Sequence, residues 1–289
     1  MSRLRQVELR RKNITSLKNI VSSMRSLASA YLQRSQTALH SVRAYEEMVE
    51  TGLALALRSL RSSLDPSDPW SSPCLLVFCS DQGLCGPFVE ALARETRKEM
   101  MLRRIEQRSR ILLIGQQGIA VFRRLGMNAE LIANAPNSLE GAMKSISELT
   151  EVIGSLYEGG SISSIQLIYN VFEGVGRFST RIRQLLPPDT KKILDDQVHI
   201  SHEPLSHLPF REILHRLLEE YLFIGLHRAM VESISSENGS RLRAMDAATH
   251  NCEDMLENLT SLYMQLRQEE ITADLLDVIS GVEALKGID

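Results

Sequence analysis

Three glycine-containing segments are the places where this chain could hold a phosphate group: GLCG (83–86), GQQG (115–118) and GVG (174–176). A dinucleotide site needs glycines in the order G-x-G-x-x-G between a strand and a helix, so that backbone amides can approach the pyrophosphate. No segment has that order, and the Gly-Lys-Ser/Thr triplet of a P-loop does not occur. We therefore interpret the glycines as tight turns, and we expect no direct nucleotide binding and no cofactor.

An acid and a thiol flank one of these turns, where Asp81 and Cys85 lie on either side of Gly83. A cysteine nucleophile is normally activated by a neighbouring base, and no histidine lies near this pair in sequence. We therefore expect the chain to carry no catalytic residue.

Four histidines form a loose cluster that could suggest a metal: His199, His202, His207 and His215. The segment HEPLSH (202–207) is one residue longer than the HExxH motif of zinc enzymes, and its proline would break the helix that zinc binding requires there. We interpret this region as a polar loop and expect no metal site.

The four cysteines are Cys74, Cys79, Cys85 and Cys252, and no CxxC pair occurs among them. Three of them lie around one predicted strand. We interpret all four as reduced, buried thiols of a protein in a reducing compartment.

The composition is that of an ordinary globular protein, with 43% hydrophobic and 24% charged residues. A net charge of −3 gives no bulk signal for nucleic-acid binding. No apolar run approaches the roughly 20 residues needed to cross a bilayer.

The middle of the chain, residues 63–207, alternates predicted strands and helices. Strands are predicted at 74–80, 110–115, 129–133, 165–172 and 178–187, with helices at 87–107, 119–125 and 138–157. Strand–helix alternation is typical of a largely parallel α/β unit. We predict a Rossmann-like domain with an antiparallel hairpin at one edge, closed by a polar loop from Pro187 to Pro209.

Residues 3 to about 61, within an N-terminal segment 1–62, are predicted to form one long helix. A seven-residue apolar repeat marks its seam, with the second apolar position three residues later. The first set is Val7, Ile14, Val21, Ala28 and Val42, with Ser35 as a gap; the second set is Leu17, Met24, Tyr31, Ala38 and Tyr45.

The C-terminal segment, residues 208–289, is predicted to be helical almost throughout, with interruptions at Gly225 and Gly239. Its heptad consists of Met245, Cys252, Leu259 and Leu266, followed three residues later by Ala248, Met255 and Leu262. A helix with one apolar seam needs a partner helix.

Charge indicates that the partner is the N-terminal helix. Residues 1–43 carry nine basic side chains and one acidic one, whereas residues 209–289 carry seven basic and fifteen acidic ones. Opposite charges beside two apolar seams favour pairing between the two ends over self-pairing. We predict an antiparallel coiled coil of the N- and C-terminal helices, with the α/β domain as the connection between them.

The end of the C-terminal helix carries more apolar residues than pairing requires. The set is Ile271, Leu275, Leu276, Val278, Ile279, Val282 and Leu285. If this end reaches beyond its partner helix, the surface is unpaired, and exposed apolar surface usually marks a protein contact.

Three blocks of the sequence resemble the gamma subunit of F-type ATP synthases. They are LRQVELRRKNITSLKNIVSSMRSLASAYLQRSQ (4–36), CSDQGLCGPF (79–88) and RLRAMDAATHNCEDMLENLTSLYMQLRQEEIT (241–272). They stand in the family's order, and the resemblance covers nearly the whole chain. The departures, among them Tyr31 for a usual Lys and Gln82 for a usual Arg, suggest a divergent member.

The resemblance implies a non-catalytic rotor shaft that couples ion-driven rotation of a membrane c-ring to conformational cycling of the alpha/beta ring. The partners are the alpha, beta and epsilon subunits and the c-ring, through which the chain is peripheral to the membrane, at the cytoplasmic face of a bacterial inner membrane. It further implies beta-subunit contacts at Met24, Arg25, Arg267, Gln268, Thr272 and Asp274, an apolar bearing tip formed by the seven residues above, and a base of the shaft at Asp81, Gly83, Leu84, Cys85 and Gly86.

Two other functions are open to the sequence. One is a stand-alone coiled-coil adaptor with an α/β head, binding membrane or nucleic acid through the basic N-terminal helix. The other is a nucleotide-dependent enzyme that uses the α/β domain.

Overall fold

The computed structural model describes the backbone of residues 3–60, 71–136, 138–196 and 209–286. Within these ranges lie six helices and five strands. In chain order they are α1 (Arg3–Leu60), β1 (Pro73–Phe78), α2 (Phe88–Arg103), β2 (Arg110–Ile114), α3 (Gln117–Arg124), β3 (Ala129–Ala133), α4 (Leu139–Glu158), β4 (Ser164–Gly174), β5 (Arg177–Leu186), α5 (Thr190–Asp196) and α6 (Phe210–Lys286).

The chain divides into two units. Unit 1 consists of Met1–Leu27 and Arg243–Asp289, and unit 2 consists of Ala28–Leu242. The helices α1 and α6 therefore contribute residues to both units, and the whole sheet belongs to unit 2.

The sheet of unit 2 has the strand order β3-β2-β1-β4-β5. The first four strands are mutually parallel, and β5 pairs antiparallel with β4, as a hairpin at one edge. The apolar run of β1 is buried along its whole length, which a parallel strand covered on both faces requires. The predicted Rossmann-like domain with an edge hairpin is confirmed.

Two apolar cores lie on the two faces of this sheet. Side chains that alternate along β1 point to opposite faces, so Leu76 and Phe78 join one core and Leu75 and Val77 join the other. The first core packs the sheet against α1, α4 and α6, and the second packs it against α2 and α3. The paired helices are thus part of the domain's main core.

The heptad of α1 is confirmed at its first position, although Ile14 is only partly buried. It holds only in part at its second position, where Met24, Tyr31 and Ala38 are partly buried. Val7, Val21, Ala28, Ser35 and Val42 are all buried. In unit 1, however, the predicted second-position residue Leu17 is exposed, and in unit 2 the same holds for Tyr45. The buried second position of α1 in unit 2 lies four residues after the first, at Leu39, Glu46 and Leu53.

The heptad of α6 in unit 1 differs from the prediction in the same way. Met245 and Cys252 are buried, but Met255 and Leu262 are exposed, whereas Thr249, four residues after Met245, is buried. The second seam position lies four residues after the first and not three. It is therefore displaced by one residue, which is about 100° around the helix. The buried second position is occupied by Thr249 in α6 and by Glu46 in α1, so apolar character alone does not mark it.

The predicted interruptions of α6 at Gly225 and Gly239 are absent, since the helix runs from Phe210 to Lys286. Both glycines lie where another element of unit 2 packs too closely for a side chain. A Cβ on Gly239 would lie 2.6 Å from the ring of Phe172, and one on Gly225 would clash with Leu185. Close packing, and not helix termination, explains these glycines.

The polar loop predicted from Pro187 to Pro209 contains a short helix, α5, which was not predicted. The Asp189 carboxylate accepts a hydrogen bond from the backbone N–H of Lys192 at 3.1 Å and so caps the first turn. His199, His202 and His207 lie outside the described residues. His215 is on α6, exposed, with its Nε2 3.5 Å from a Glu219 carboxylate oxygen.

A buried carboxylate connects α1 to the sheet and to α6 within unit 2. Glu46 is 2% exposed, and its two oxygens accept hydrogen bonds from Arg183 on β5 and from Arg228 on α6. Arg183 also donates to Glu50 at 3.0 Å. Burial opposes the charge on Arg183, but Glu46 and Tyr221 together raise the pKa of the guanidinium. One anion therefore holds cations from two other elements.

We expect Glu46→Gln to destabilise the protein by about 3–5 kcal/mol, because it leaves two partly buried guanidiniums without their shared anion. Chemical denaturation monitored by circular dichroism would measure the loss. Glu47→Gln is the matched control, since Glu47 is exposed on the same helix and should change the free energy of unfolding by no more than about 0.5 kcal/mol. Equal effects from the two variants would contradict the assignment.

We expect Gly239→Ala to cost about 1–3 kcal/mol of stability, because the added methyl group overlaps the Phe172 ring. Gly154→Ala is the matched control in α4, where the nearest side-chain atom is 4.0 Å from the new Cβ. It should gain up to about 1 kcal/mol from helix propensity. The double variant Gly239→Ala/Phe172→Leu should recover part of the loss, and no recovery would show that the ring is not the cause.

Candidate functional site

The segment between β1 and α2, residues 79–87, contains the first group of predicted functional residues, and we call it the β1–α2 loop. Asp81 accepts hydrogen bonds from the backbone N–H groups of Gln116 at 2.9 Å and Ala135 at 3.0 Å. These two residues follow β2 and β3, so one carboxylate ties together the ends of three neighbouring strands. Asp81 thus has a positioning role in the folded chain.

Backbone conformation at the tip of the β1–α2 loop turns one apolar side chain outward. Leu84 has φ +64° and Gly86 has φ +61°, both in the left-handed region. The Leu84 side chain is 62% exposed, whereas Cys85 beside it is buried. A left-handed leucine is unusual and is maintained only where surrounding contacts determine it.

Those contacts come from α6. The carbonyl oxygen of Cys85 accepts a hydrogen bond from the Ser240 hydroxyl at 2.7 Å, and the Phe78 carbonyl accepts one from Ser233 at 3.1 Å. Arg241 donates to the Gln82 carbonyl at 3.4 Å. The loop is therefore fixed on α6 through its backbone, which leaves the Leu84 side chain free for an external contact.

A buried ion pair on α6 lies beneath the loop. Arg241 donates to Glu237 at 2.5 Å, and both residues are buried. Burial raises the pKa of Glu237, and the neighbouring Arg241 charge acts in the opposite direction. Ser233, Glu237 and Ser240 were not predicted to be functional. The polar run ESISSENGS (232–240) was the available signal, because a helical segment without an apolar stripe can be buried on all sides by the rest of the fold.

Gly115 and Gly118 serve the packing of the turn after β2. A Cβ on Gly115, which has φ +102°, would lie 2.7 Å from the Cys79 carbonyl, and one on Gly118 would lie 2.8 Å from the Cys79 sulfur. The predicted tight strand-to-helix turn is confirmed at this position.

The four cysteines are free and buried. Burial raises the pKa of Cys74 to about 12 and raises that of Cys79 further. Burial also raises the pKa of Cys85, although a hydrogen bond with Ser80 acts against it. Since the thiolate is the reactive form, these three thiols are poor nucleophiles at neutral pH.

We expect Cys74, Cys79 and Cys85 to resist iodoacetamide in the folded chain at pH 8 and to react fully in denaturant, because burial disfavours the thiolate and blocks access. Peptide mass spectrometry would score each cysteine separately. Fast modification of Cys85 in the folded chain would contradict this expectation and would indicate that Cys85 can act as a nucleophile.

In unit 1 the two helices pair in antiparallel orientation through opposite charges. Lys18 lies 2.8 Å from Glu253, and Arg25 lies 3.2 Å from Asp246. The Arg11 guanidinium lies 4.9 Å from the centre of the Tyr263 ring, a cation–π distance. Residue numbers rise along α1 as they fall along α6, and basic side chains face acidic ones, as the charge pattern predicted.

The predicted contact residues of α1 in unit 1 are engaged within the chain. Arg25 is in the ion pair with Asp246, its side chain half exposed, and Met24 is partly buried beside it. The distance along α6 from Asp246 to Arg267 is about 30 Å, at about 1.5 Å per residue. The structure therefore does not bring Met24 and Arg25 together with the other predicted contact residues.

The remaining predicted contact residues lie together on an open stretch of α6. Every side chain from 267 to 280 is exposed. Arg267, Gln268, Thr272 and Asp274 occupy two successive turns, and the Thr272 hydroxyl donates to the Gln268 carbonyl at 2.8 Å. This stretch is available to another molecule.

An apolar stripe runs along the same stretch, and we call Ile271, Leu275, Val278 and Ile279 the distal stripe. Its members are about half exposed or more, as is Leu276, which lies off the stripe. The side chains of Val282 and Leu285 lie outside the described residues. The predicted exposed apolar surface is thus present for five of its seven members.

The distal stripe does not continue the seam that pairs with α1. Continued in steps of seven from Cys252 and Thr249, the seam reaches Ala273, Ser280, Glu270 and Asp277. With about 100° per residue, the centre of the distal stripe lies roughly 165° around the helix from these positions. The apolar side of this end faces away from the direction in which α1 lies.

Among the described residues, no three His, Cys, Asp or Glu side chains converge as metal coordination requires. No helix within those ranges combines the length and apolar character needed to span a bilayer.

The family comparisons agree with this arrangement. A family model described as ATP synthase matches residues 3–285. The ATP synthase gamma chain of Clostridium acetobutylicum is 30% identical over 284 residues, covering 97% of each chain. That of Anaeromyxobacter sp. strain Fw109-5 is also 30% identical, over 298 residues, covering 99% of this chain and 100% of its own.

Solved structures share the fold. The rotor of the Euglena gracilis mitochondrial ATP synthase aligns with a TM-score of 0.59 at 16% identity, covering 93% of this chain and 98% of its own. The central stalk with c-ring of the Tetrahymena thermophila enzyme aligns with a TM-score of 0.56 at 20% identity, covering 79% and 99%. The chain belongs to the ATP synthase gamma chain family.

Proposed function

We propose that this chain is the central rotor shaft of an F-type ATP synthase and has no catalytic residues of its own. It couples rotation of the membrane c-ring to conformational cycling of the alpha/beta ring. Family membership over nearly the whole chain carries this proposal, and the exposed end of α6 supports it. The partners are the alpha and beta subunits, the epsilon subunit and the c-ring.

In this proposal the helices of 1–62 and 208–289 form the shaft, and the α/β domain of 63–207 is its base. The distal stripe, with Leu276, Val282 and Leu285, turns against the surrounding ring as an apolar bearing. Apolar surface suits a bearing because its attraction is not directional, so no rotational position is fixed by oriented bonds.

Polar side chains then supply the contacts that distinguish one rotational position from the next. Met24, Arg25, Arg267, Gln268, Thr272 and Asp274 contact beta subunits in turn. A rotor can shift the conformational equilibrium of a neighbour only through contacts that differ between its states. The exposed Arg267 and Gln268 meet this requirement without any rearrangement of the chain.

The β1–α2 loop, with Asp81, Gly83, Leu84, Cys85 and Gly86, belongs to the base of the shaft. The coupling ion is a proton or a sodium ion, selected by the membrane subunits. The chain works at the cytoplasmic face of a bacterial inner membrane, attached through the c-ring.

The adaptor alternative is not favoured. It needs a basic helix that is open to lipid or nucleic acid, yet within unit 1 the basic side chains Lys18 and Arg25 are paired with acidic residues of α6.

We expect Arg267→Ala, in the assembled complex, to lower ATP-driven rotation and coupled ATP synthesis by about tenfold. A charged hydrogen bond contributes roughly 1.5–3 kcal/mol, and each 1.4 kcal/mol corresponds to a factor of ten. Single-complex rotation assays and ATP synthesis in proteoliposomes would measure the loss. Far-ultraviolet circular dichroism should be unchanged, because Arg267 is exposed.

Arg243→Ala is the matched control, because Arg243 is also an exposed arginine of α6 in unit 1. It lies outside the open stretch and should leave rotation and synthesis within twofold of the unmodified complex. Equal losses from the two variants would point to overall charge and would count against a specific contact at Arg267.

A further inference from the structure

A polar cavity of about 560 Å³ lies in unit 2 on the sheet face that carries α1 and α6. Strands β4 and β5 form its floor, and α1, α5 and α6 contribute to its walls. Its charged and phenolic lining residues are Glu50, Tyr169, Arg181, Arg183, Asp189, Lys192, Tyr221 and Arg228. Its size is within the range of small-molecule sites.

Strand register explains why three of these side chains converge. Tyr169 on β4 pairs with Arg181 on β5, and Leu167 pairs with Arg183. Residues two apart on a strand point to the same face, so Tyr169, Arg181 and Arg183 all project toward the cavity. A hydroxyl and two guanidiniums are thus placed side by side by backbone geometry alone.

Positive charge exceeds negative charge around the cavity. Four cationic side chains line it, against the carboxylates of Glu50 and Asp189. Arg183 and Arg228 are both paired with Glu46, which does not line the cavity. Arg181 and Lys192 have no ion-pair partner among the described residues, and Asp189 is used in capping α5. Neither Arg181 nor Lys192 is therefore held in a close ion pair, although the Lys192 charge acts on the Glu50 carboxylate and lowers its pKa, against the larger effect of burial.

Two buried polar groups in the lining have unmet hydrogen bonds. The hydroxyl of Tyr169 and the Nε of Arg228 have no hydrogen-bond partner among the described residues, although the Arg228 Nε lies 3.9 Å from a Glu232 carboxylate oxygen. The Tyr169 side chain is fully buried. Its ring stacks edge-on against Phe78 at 6.3 Å between centres, which fixes its direction. An unsatisfied buried donor is costly, so a persistent one usually has a ligand or an ordered water.

We propose that this cavity binds an oxyanion of the phosphoryl class, held by Arg181 and Lys192 and oriented by the Tyr169 hydroxyl and the Arg228 Nε–H. A tetrahedral oxyanion accepts several hydrogen bonds at once, and each from a cation is charge-assisted. The donors come from β4, β5, α5 and α6, so the anion links elements that are distant in sequence. This site is independent of the proposed shaft function.

The test measures the binding of inorganic phosphate to the full-length chain by isothermal titration calorimetry and by thermal unfolding, with chloride at equal ionic strength as the background. We expect saturable binding and a melting temperature that rises with phosphate but not with chloride. No saturable binding would overturn the proposal.

The Tyr169→Phe variant separates a ligand site from a merely structural cavity. It removes an unsatisfied buried hydroxyl, so without phosphate the variant should be at least as stable as the unmodified chain. It should nevertheless bind phosphate about 3- to 10-fold more weakly, the loss of one hydrogen bond. Unchanged affinity in this variant would overturn the assigned role of Tyr169.

Arg181→Gln/Lys192→Gln should weaken phosphate binding at least tenfold, because both free cations are lost. Arg177→Gln is the matched control, since Arg177 lies on the same strand outside the cavity and should leave affinity unchanged. Equal weakening by the control would indicate non-specific charge attraction and overturn the site.

A parallel titration with ADP distinguishes free phosphate from a phosphate ester as the ligand, according to which of the two binds more tightly.

Discussion

The pairing of α1 with α6 is the constraint on which the other features depend. Neither helix can bury its apolar seam alone, and the two come from opposite ends of the sequence. Their pairing therefore places the first part of α1 beside residues 246–263 of α6 in unit 1. In unit 2 it gives the sheet a layer of helices to pack against. The sheet's main core contains seam residues such as Leu39 and Leu53, so coiled coil and domain share one interior there.

The ion pairs that hold these two helices differ between the two units. In unit 1 the contacts flanking the seam are partly exposed ion pairs, each contributing little to stability. In unit 2 the buried Glu46 holds two arginines at once, where losing one partner leaves uncompensated charge. The helix pairing thus rests on weak, partly exposed ion pairs in unit 1 and on strongly coupled buried groups in unit 2.

The strands, the helix pairing and the exposed end of α6 could be predicted from the sequence, because each has a signal in composition or charge. The β-forming run at Cys74–Phe78 predicted β1, the charge asymmetry predicted the helix pairing, and the apolar excess after Leu266 predicted an exposed end. The second seam position could not be predicted, because long stems such as those of Arg11 and Lys18 can cover a seam as apolar residues do. Nor could the polar cavity, whose lining joins residues of five elements through strand register. The start of α5, by contrast, could have been predicted, because Asp189 is a residue type that commonly caps the first turn of a helix.

The two glycines of α6 have a mechanical consequence. Gly225 and Gly239 are the places where Leu185 and Phe172 press against the helix, and they are fourteen residues apart, close to four full turns. The two glycines therefore lie on nearly the same side of α6. Translating the helix by one turn, or rotating it by one residue, would place a side chain against both Leu185 and Phe172. The sheet of unit 2 therefore packs on α6 in one position only, and a torque applied to either is transmitted to the other.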